Sequence, residues 1–282
     1  MIARASALLL LAGLALGAAA PRATRTSPPV VDGFTMLEGD FHVHAFPGDG
    51  ALTPRRLRDF AADEGLDVLA ITNHNQILAS HLLPRDEGPI VLLGEEVTHP
   101  DFHLAAVGIT NAVDWNQPAV RVIADVHAQG GVAIAAHPER EFWKGWDQAA
   151  MAAVDGVEVA HPVLLAEPET RGDFEAFFHR ALAVNPDVAR IGSSDYHVTR
   201  TPGECRTYLF ARERSQAGVI DAIRSGRTVA RCADGTLIGD PALVALVHAH
   251  ERQPQPRTSV MATLSAVLVW AGMAGLALLS RV

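Results

Sequence analysis

Cysteine is scarce: Cys205 and Cys232 are the only two in 282 residues, which excludes a scaffold stapled by several disulfides and a metal site built on a thiolate cluster. Both fall in segments that read as strands. In an oxidising compartment they could pair, and the sequence leaves that open because it does not fix their separation. Long basic runs are also missing and the formal net charge is −9, so a broad nucleic-acid-binding face is excluded. Small anionic substrates would have to be drawn in locally, as bound metal ions can do. No internal repeat is evident, and with 49% hydrophobic residues the chain can build one sizeable core.

Part of that hydrophobicity sits at the ends. Arg4, the apolar stretch Ala7 to Leu16, then Ala18-Ala19-Ala20 and Pro21 have the layout of a secretory signal peptide over residues 1–20. Residues 21–35, with Pro21, Pro28 and Pro29, read as a linker, and 251–259 as a second. Residues 260–279 carry no charge, and as a helix they would rise about 30 Å, enough for a transmembrane span. The expectation is an exported protein, membrane-anchored through its C-terminal helix, with a catalytic domain at 36–250 on the extracytoplasmic side. The sequence leaves the oligomeric state open.

Within that domain, runs at 39–44, 67–72, 90–97, 103–109, 132–136, 155–160, 188–193, 205–210 and 227–231 read as strands, with 101–109 an alternative hairpin partner of the strand before it. Helical patterns occupy 53–64, 118–129, 146–153, 170–183 and 215–225, the first opened by Thr53 as N-cap and Pro54. The alternation favours an α/β fold with a largely parallel sheet, as in a barrel, where catalytic residues gather at the C-terminal strand ends.

The polar residues that carry chemistry lie at those ends. The first strand closes in Asp40-Phe41-His42-Val43-His44, and simple alternation places Asp40, His42 and His44 on one face. Asp49 follows in a loop, then Asn73-His74-Asn75, Gly94-Glu95, His103, Ala136-His137-Pro138 and Ser194-Asp195-Tyr196-His197. Singly, each has a plain structural explanation as a turn, a solvated carboxylate or a strand stop. Together they gather imidazole and carboxylate at one end of the sheet, a donor set suited to Zn²⁺, Mn²⁺ or Fe²⁺.

The ordered set DFHVH with Asp49 downstream, ITNHN, GEEVT, AHP and GSSDYH resembles the motifs of the PHP (polymerase and histidinol phosphatase) family, over about residues 38–231. The resemblance implies an α/β fold, a distorted seven-stranded β/α barrel of the PHP type, here with the C-terminal transmembrane helix. It also implies two or three divalent metal ions. His42, His44, Glu95 and Asp195 would hold one, Glu95 would bridge it to a second at His103 and His137, and Asp49, His74 and His197 would hold a third. Asn73 stands where the family commonly has aspartate.

The activity implied is hydrolysis of a phosphomonoester or phosphodiester of a small phosphorylated substrate, with hydroxide generated at the metal ions attacking phosphorus. Asp195 and His197 are the candidates for proton handling, and Arg140 and Arg200 for bidentate contact with the phosphate. Phe142-Trp143-Lys144-Gly145-Trp146 lies over the active site or against the membrane, or else packs on the barrel. The competing readings are a non-catalytic module that binds metal or a phosphorylated ligand, and a different metal-dependent hydrolase such as an amidase.

Overall fold

The computed structural model describes residues 2–19, 27–77, 88–252, 264, 267–271 and 273–275. The chain divides into two units, Met1–Arg25 with Gln253–Val282, and Thr26–Arg252. In the first unit, helix α1 spans Ile2–Ala19. The transmembrane helix expected over 260–279 is corrected here: among the described residues no helix is long and apolar enough to cross a membrane. A span takes about 20 consecutive apolar helical residues. The membrane-anchored placement that rested on it is corrected with it. Residues 260–263, 265, 266, 272 and 276–279 of that run lie outside the described residues.

The second unit begins with β1 (Val30–Val31) and β2 (Phe34–Val43), antiparallel across a tight turn at Asp32 and Gly33, both at positive φ. There follow α2 (Pro54–Asp63), β3 (Val68–Ile71), β4 (Ile90–His99), β5 (Phe102–Val107), α3 (Ala119–Ala128) and β6 (Val132–Ala135). Next come α4 (Gln148–Ala153), β7 (Gly156–Ala160), α5 (Val163–Ala166), α6 (Arg171–Leu182) and β8 (Ala189–Gly192). The unit ends with β9 (Arg206–Ala211), α7 (Gln216–Arg224), β10 (Thr228–Arg231), β11 (Leu237–Gly239) and α8 (Pro241–His250). Thr53 caps α2, its hydroxyl accepting from the Arg56 amide ahead of Pro54, as its sequence specifies.

The expected seven strands become eleven, in the order β11-β10-β9-β2-β3-β4-β5-β6-β7-β8 with β1 beside β2. Only β2-β3, β3-β4, β6-β7 and β7-β8 pair in parallel. The sheet is mixed because β4 folds straight back into β5 as a hairpin, and β9, β10 and β11 run as an antiparallel meander.

Side chains draw the two ends of this path together into a near-barrel. The Thr207 hydroxyl accepts from the Gly192 amide and donates to its carbonyl, both at 2.9 Å, and the Thr228 hydroxyl accepts from the Arg190 amide at 3.0 Å. A Cβ on Gly192 would lie 2.4 Å from the Arg206 carbonyl, so this approach requires glycine. Leu37, Phe41, Leu92, Ile134 and Leu209 fill the inner core with Val219 and Ile223 of α7. Cys205 and Cys232 are both buried free thiols, and burial pushes Cys232 up to about 11.

Candidate metal centre

Strand register decides which side chains reach the site. Along β2 and β3, Asp40 pairs with Leu69 but Val43 with Ile71, three residues on one strand against two on the other. A bulge of this kind reverses the alternation beyond it. Phe41 therefore packs with Leu37 and Val68, while Val43, two residues on, packs with Leu57, Leu69 and Ile71 in a different cluster. Asp40 is thereby separated from His42 and His44, which corrects the simple alternation expected for the three. Its buried carboxylate accepts from the amides of Gly203 at 2.7 Å and Ser194 at 3.1 Å, bracing the loop after Asp195, and burial raises it to about 6.

The β4-β5 hairpin, whose register is regular, separates two adjacent glutamates. In the β4-β5 hairpin Glu96 pairs with Ala105, which faces the inner core, and Glu95 with Ala106, which packs in the outer one. Glu96, not Glu95, thus reaches the histidines. Glu95 accepts from the Val113 amide at 2.5 Å on the far side of the strand, and burial raises it to about 7. In the place expected for Glu95, Glu96 sets Oε1 3.0 Å from His103 Nδ1 and 3.1 Å from His137 Nε2. Its Oε2 lies 2.7 Å from His74 Nδ1, 3.3 Å from His42 Nε2 and 3.4 Å from His44 Nε2.

The remaining residues close around this carboxylate. Asp195 Oδ1 stands 3.4 Å from His42 Nε2, 3.3 Å from His44 Nε2 and 3.5 Å from His197 Nδ1. Asp49 Oδ1 is 3.0 Å from His44 Nδ1, and its Oδ2 is 3.1 Å from both His74 Nε2 and His197 Nε2. His103 joins from β5 because that strand runs antiparallel, so its first residues lie where the parallel strands end. Three sets offer ligand atoms that all lie within 4.8 Å of one another: His44-Asp49-His74-His197, His42-Glu96-His137 and His42-His44-Asp195. His42, His44 and Glu96 are buried, whereas Asp49 is 45% and His74 38% exposed, so the cluster opens at that edge.

Surrounding groups hold these side chains in place. Glu158 on β7 accepts from His42 Nδ1 at 3.1 Å and, through its other oxygen, from the His137 amide at 2.6 Å. His42 Nε2 is left facing the cluster. The Asn73 amide accepts from the Ala45 amide at 2.7 Å and donates to the carbonyls of Ala45 and Pro47 at 3.1 and 3.0 Å. It clasps the loop that carries Asp49, and an aspartate there could not donate. A Cβ on Gly50 would meet the His44 carbonyl at 2.1 Å, so the same loop needs glycine beside Asp49. Asp195 and His137 both stand at positive φ, a backbone state held only where the surroundings impose it.

Electrostatically the cluster seeks positive charge. Burial pulls His42 down, but Asp195, Glu96 and Glu158 outweigh it and hold the imidazole well above its usual range. Burial pushes Glu96 up, but His42 and the bonds from His103 and His137 bring it well below the usual carboxylate range. Asp195 is lowered in the same way, against burial, by His42. Even so, His42 Nε2, His44 Nε2, Glu96 Oε2 and Asp195 Oδ1 are buried without a hydrogen-bond partner, all directed at one another. Orphaned imidazole nitrogens and carboxylate oxygens facing a common point fit a divalent cation.

The two arginines stand differently. The exposed Arg140 guanidinium stacks 4.3 Å over the Trp143 ring, and its amide donates to Asp173. Arg200 is half-buried in the loop after His197. In the 3-10 helix Arg140–Trp143, Phe142 stacks on His103 with ring centres 4.1 Å apart, while Trp146 is buried in the outer core. The aromatic segment therefore both lies over the site and packs on the barrel. Glu96 and Glu158 are the residues near the site to which sequence reasoning gave no role.

No protein-family model matches the sequence. Over 139 residues the chain is 27% identical to an uncharacterised protein of Methanocaldococcus jannaschii, covering 44% of this chain and 81% of that one. Among solved structures, it is similar to a two-domain protein from Bacteroides vulgatus containing a predicted PHP-like metal-dependent phosphoesterase. The TM-score is 0.62 and the identity 22%, over 82% of this chain and 74% of that one. It is also similar to PsfC from Pseudomonas syringae, with a TM-score of 0.49 and 18% identity over 76% of this chain and 97% of that one. The likeness to the Bacteroides vulgatus structure establishes a shared fold.

Proposed function

We propose that the chain is a metal-dependent phosphoesterase of the PHP type, acting on a small phosphorylated substrate. One observation carries this reading: four buried polar atoms, on His42, His44, Glu96 and Asp195, converge without hydrogen-bond partners inside a ring of further imidazoles and carboxylates. Two or three divalent ions (Zn²⁺, Mn²⁺ or Fe²⁺) would be held by His42, His44 and Asp195, by Glu96, His103 and His137, and by Asp49, His74 and His197. When bound, such ions supply positive charge to phosphoryl oxygens and bring the ionisation of water toward neutral pH.

The chain's own residues do the rest. Glu158 commits His42 Nδ1 as a donor, so that Nε2 keeps its lone pair for the cluster. Asp49, His74 and His197 form the solvent-facing edge by which an anionic ester enters. Asp195 and His197 lie at that entry and are the groups placed to accept or return a proton. Without cations, Asp49, Glu96 and Asp195 repel a phosphate, so anion binding should follow metal loading.

The test is hydrolysis of p-nitrophenyl phosphate and bis-p-nitrophenyl phosphate by the full chain, stripped of metal and reloaded with Mn²⁺, Zn²⁺ or Fe²⁺. Beside it stands the double variant His42→Ala, Asp195→Ala. Turnover restored by metal and missing from the variant is expected, and the preference between the two esters assigns the substrate class. Stoichiometric metal binding with no turnover on either ester would point instead to a binding module or another hydrolase.

A further inference from the structure

His161 is absent from every ligand set above, yet it is buried against the cluster. It arrives there by a register slip. Glu158 of β7 pairs with Ile191 of β8, but Ala160 pairs with the next residue, Gly192. Val159 and Ala160 consequently both pack in the outer core, and Glu158 and His161, three residues apart, both face the site.

The tautomer of His161 follows from its hydrogen bond. Nδ1 accepts from the Val163 amide, the first of α5, at 3.2 Å, which assigns the ring proton to Nε2. That Nε2 is buried, has no hydrogen-bond partner, and lies 3.6 Å from Asp195 Oδ2. A nitrogen that carries its proton has no lone pair for a cation. The ring is confined by His137 at 5.5 Å and Phe174 at 6.2 Å between centres.

We propose that His161 is a positioning residue for Asp195 and not a metal ligand. Its Nε2–H is directed at Oδ2, which leaves Oδ1, the oxygen facing His42 and His44, for the cation. Asp195 needs such a partner because its backbone is in the left-handed region, at φ 49°, where its direction is set by what surrounds it. The inference rests on the metal-site reading above.

The test compares His161→Gln, whose amide nitrogen reaches the place of Nε2, with His161→Asn, whose amide reaches only that of Nδ1, and with His161→Ala. Metal content by elemental analysis, affinity by Zn²⁺ titration and the Co²⁺ absorption spectrum are read alongside kcat and KM on p-nitrophenyl phosphate. The expected result is full metal content in all three, with affinity weakened roughly 10- to 100-fold in His161→Asn and His161→Ala, as for outer-layer partners of ligands. His161→Gln recovers most of the affinity and the Co²⁺ spectrum. The loss falls on kcat more than on KM.

Loss of one metal equivalent in His161→Gln as well would make His161 a ligand and overturn the proposal. Equal affinity in wild type, His161→Asn and His161→Gln would overturn it too. Should His161→Ala fail to fold, the two full-sized polar variants still decide. A wild type that binds metal but does not hydrolyse esters would sink the phosphoesterase reading while leaving the affinity comparison intact.

Discussion

Two groups of carboxylates sit in the same unit and are satisfied in opposite ways. Glu38 and Asp67 are met by guanidinium groups: Arg206 lies 2.8 Å from Glu38, and Arg252 2.9 Å from Glu38 and 2.6 Å from Asp67. Asp49, Glu96, Glu158 and Asp195 are paired with imidazoles, and among the described residues no Lys or Arg forms an ion pair with any of the four. A guanidinium brings permanent charge and closes its site, whereas an imidazole brings a lone pair and leaves the carboxylate short of positive charge. The first group is a lock between the strands and the end of α8. The second has the donor set of a site that could hold cations.

Breaking the lock should give the largest change in stability and none in metal binding. Arg252→Ala removes the guanidinium that lies 2.6 Å from buried Asp67 and 2.9 Å from Glu38, and removing one partner of a buried pair costs about 3–5 kcal/mol. Urea unfolding of the metal-free chain should show that loss, with Zn²⁺ affinity unchanged in whatever fraction stays folded. A drop in both would mean that the two groups are not independent.

Glu158→Gln should do the reverse. The amide can still accept from His42 but turns a donor toward the His137 amide, so metal affinity should fall about 10- to 100-fold with little change in unfolding free energy. Titration with Zn²⁺ measures it. Unchanged affinity would make Glu158 a core residue only.

Asn73→Asp sharpens the contrast at the open edge. It replaces two donated bonds to Ala45 and Pro47 by repulsion, at a cost of about 1–3 kcal/mol. The ion held by Asp49, His74 and His197 should weaken, leaving the buried ligands unaffected. Successive Mn²⁺ titration would resolve this as loss of the weakest binding event alone.

The elements of the fold were legible where pattern and capping agreed. All nine strands read from the sequence exist, and Thr53-Pro54 opens α2. Strands β1 and β11, of two and three residues, were too short to show a period, and α8 is apolar on nearly every side and so shows no stripe. The site was legible as a set of motifs but not in its fine assignment. Neither glutamate of Gly94-Glu95-Glu96 can be preferred until the β4-β5 register is known. Likewise Asp40 leaves the histidine face, and Glu158 and His161 join the site, through single-residue slips that strict alternation cannot anticipate. The membrane span was read from charge-free hydrophobicity over 260–279, which measures composition, whereas among the described residues no helix is long and apolar enough to cross a membrane.

The most direct test of a cation receptor centred on Glu96 is the metal content of the full chain beside Glu96→Gln and Glu95→Gln, by elemental analysis after reloading with Zn²⁺ or Mn²⁺. The account predicts that Glu96→Gln loses at least one equivalent and that Glu95→Gln, whose amide still accepts from Val113, retains all of them. A wild-type chain that takes up no divalent ion, or loss in Glu95→Gln with retention in Glu96→Gln, would contradict it.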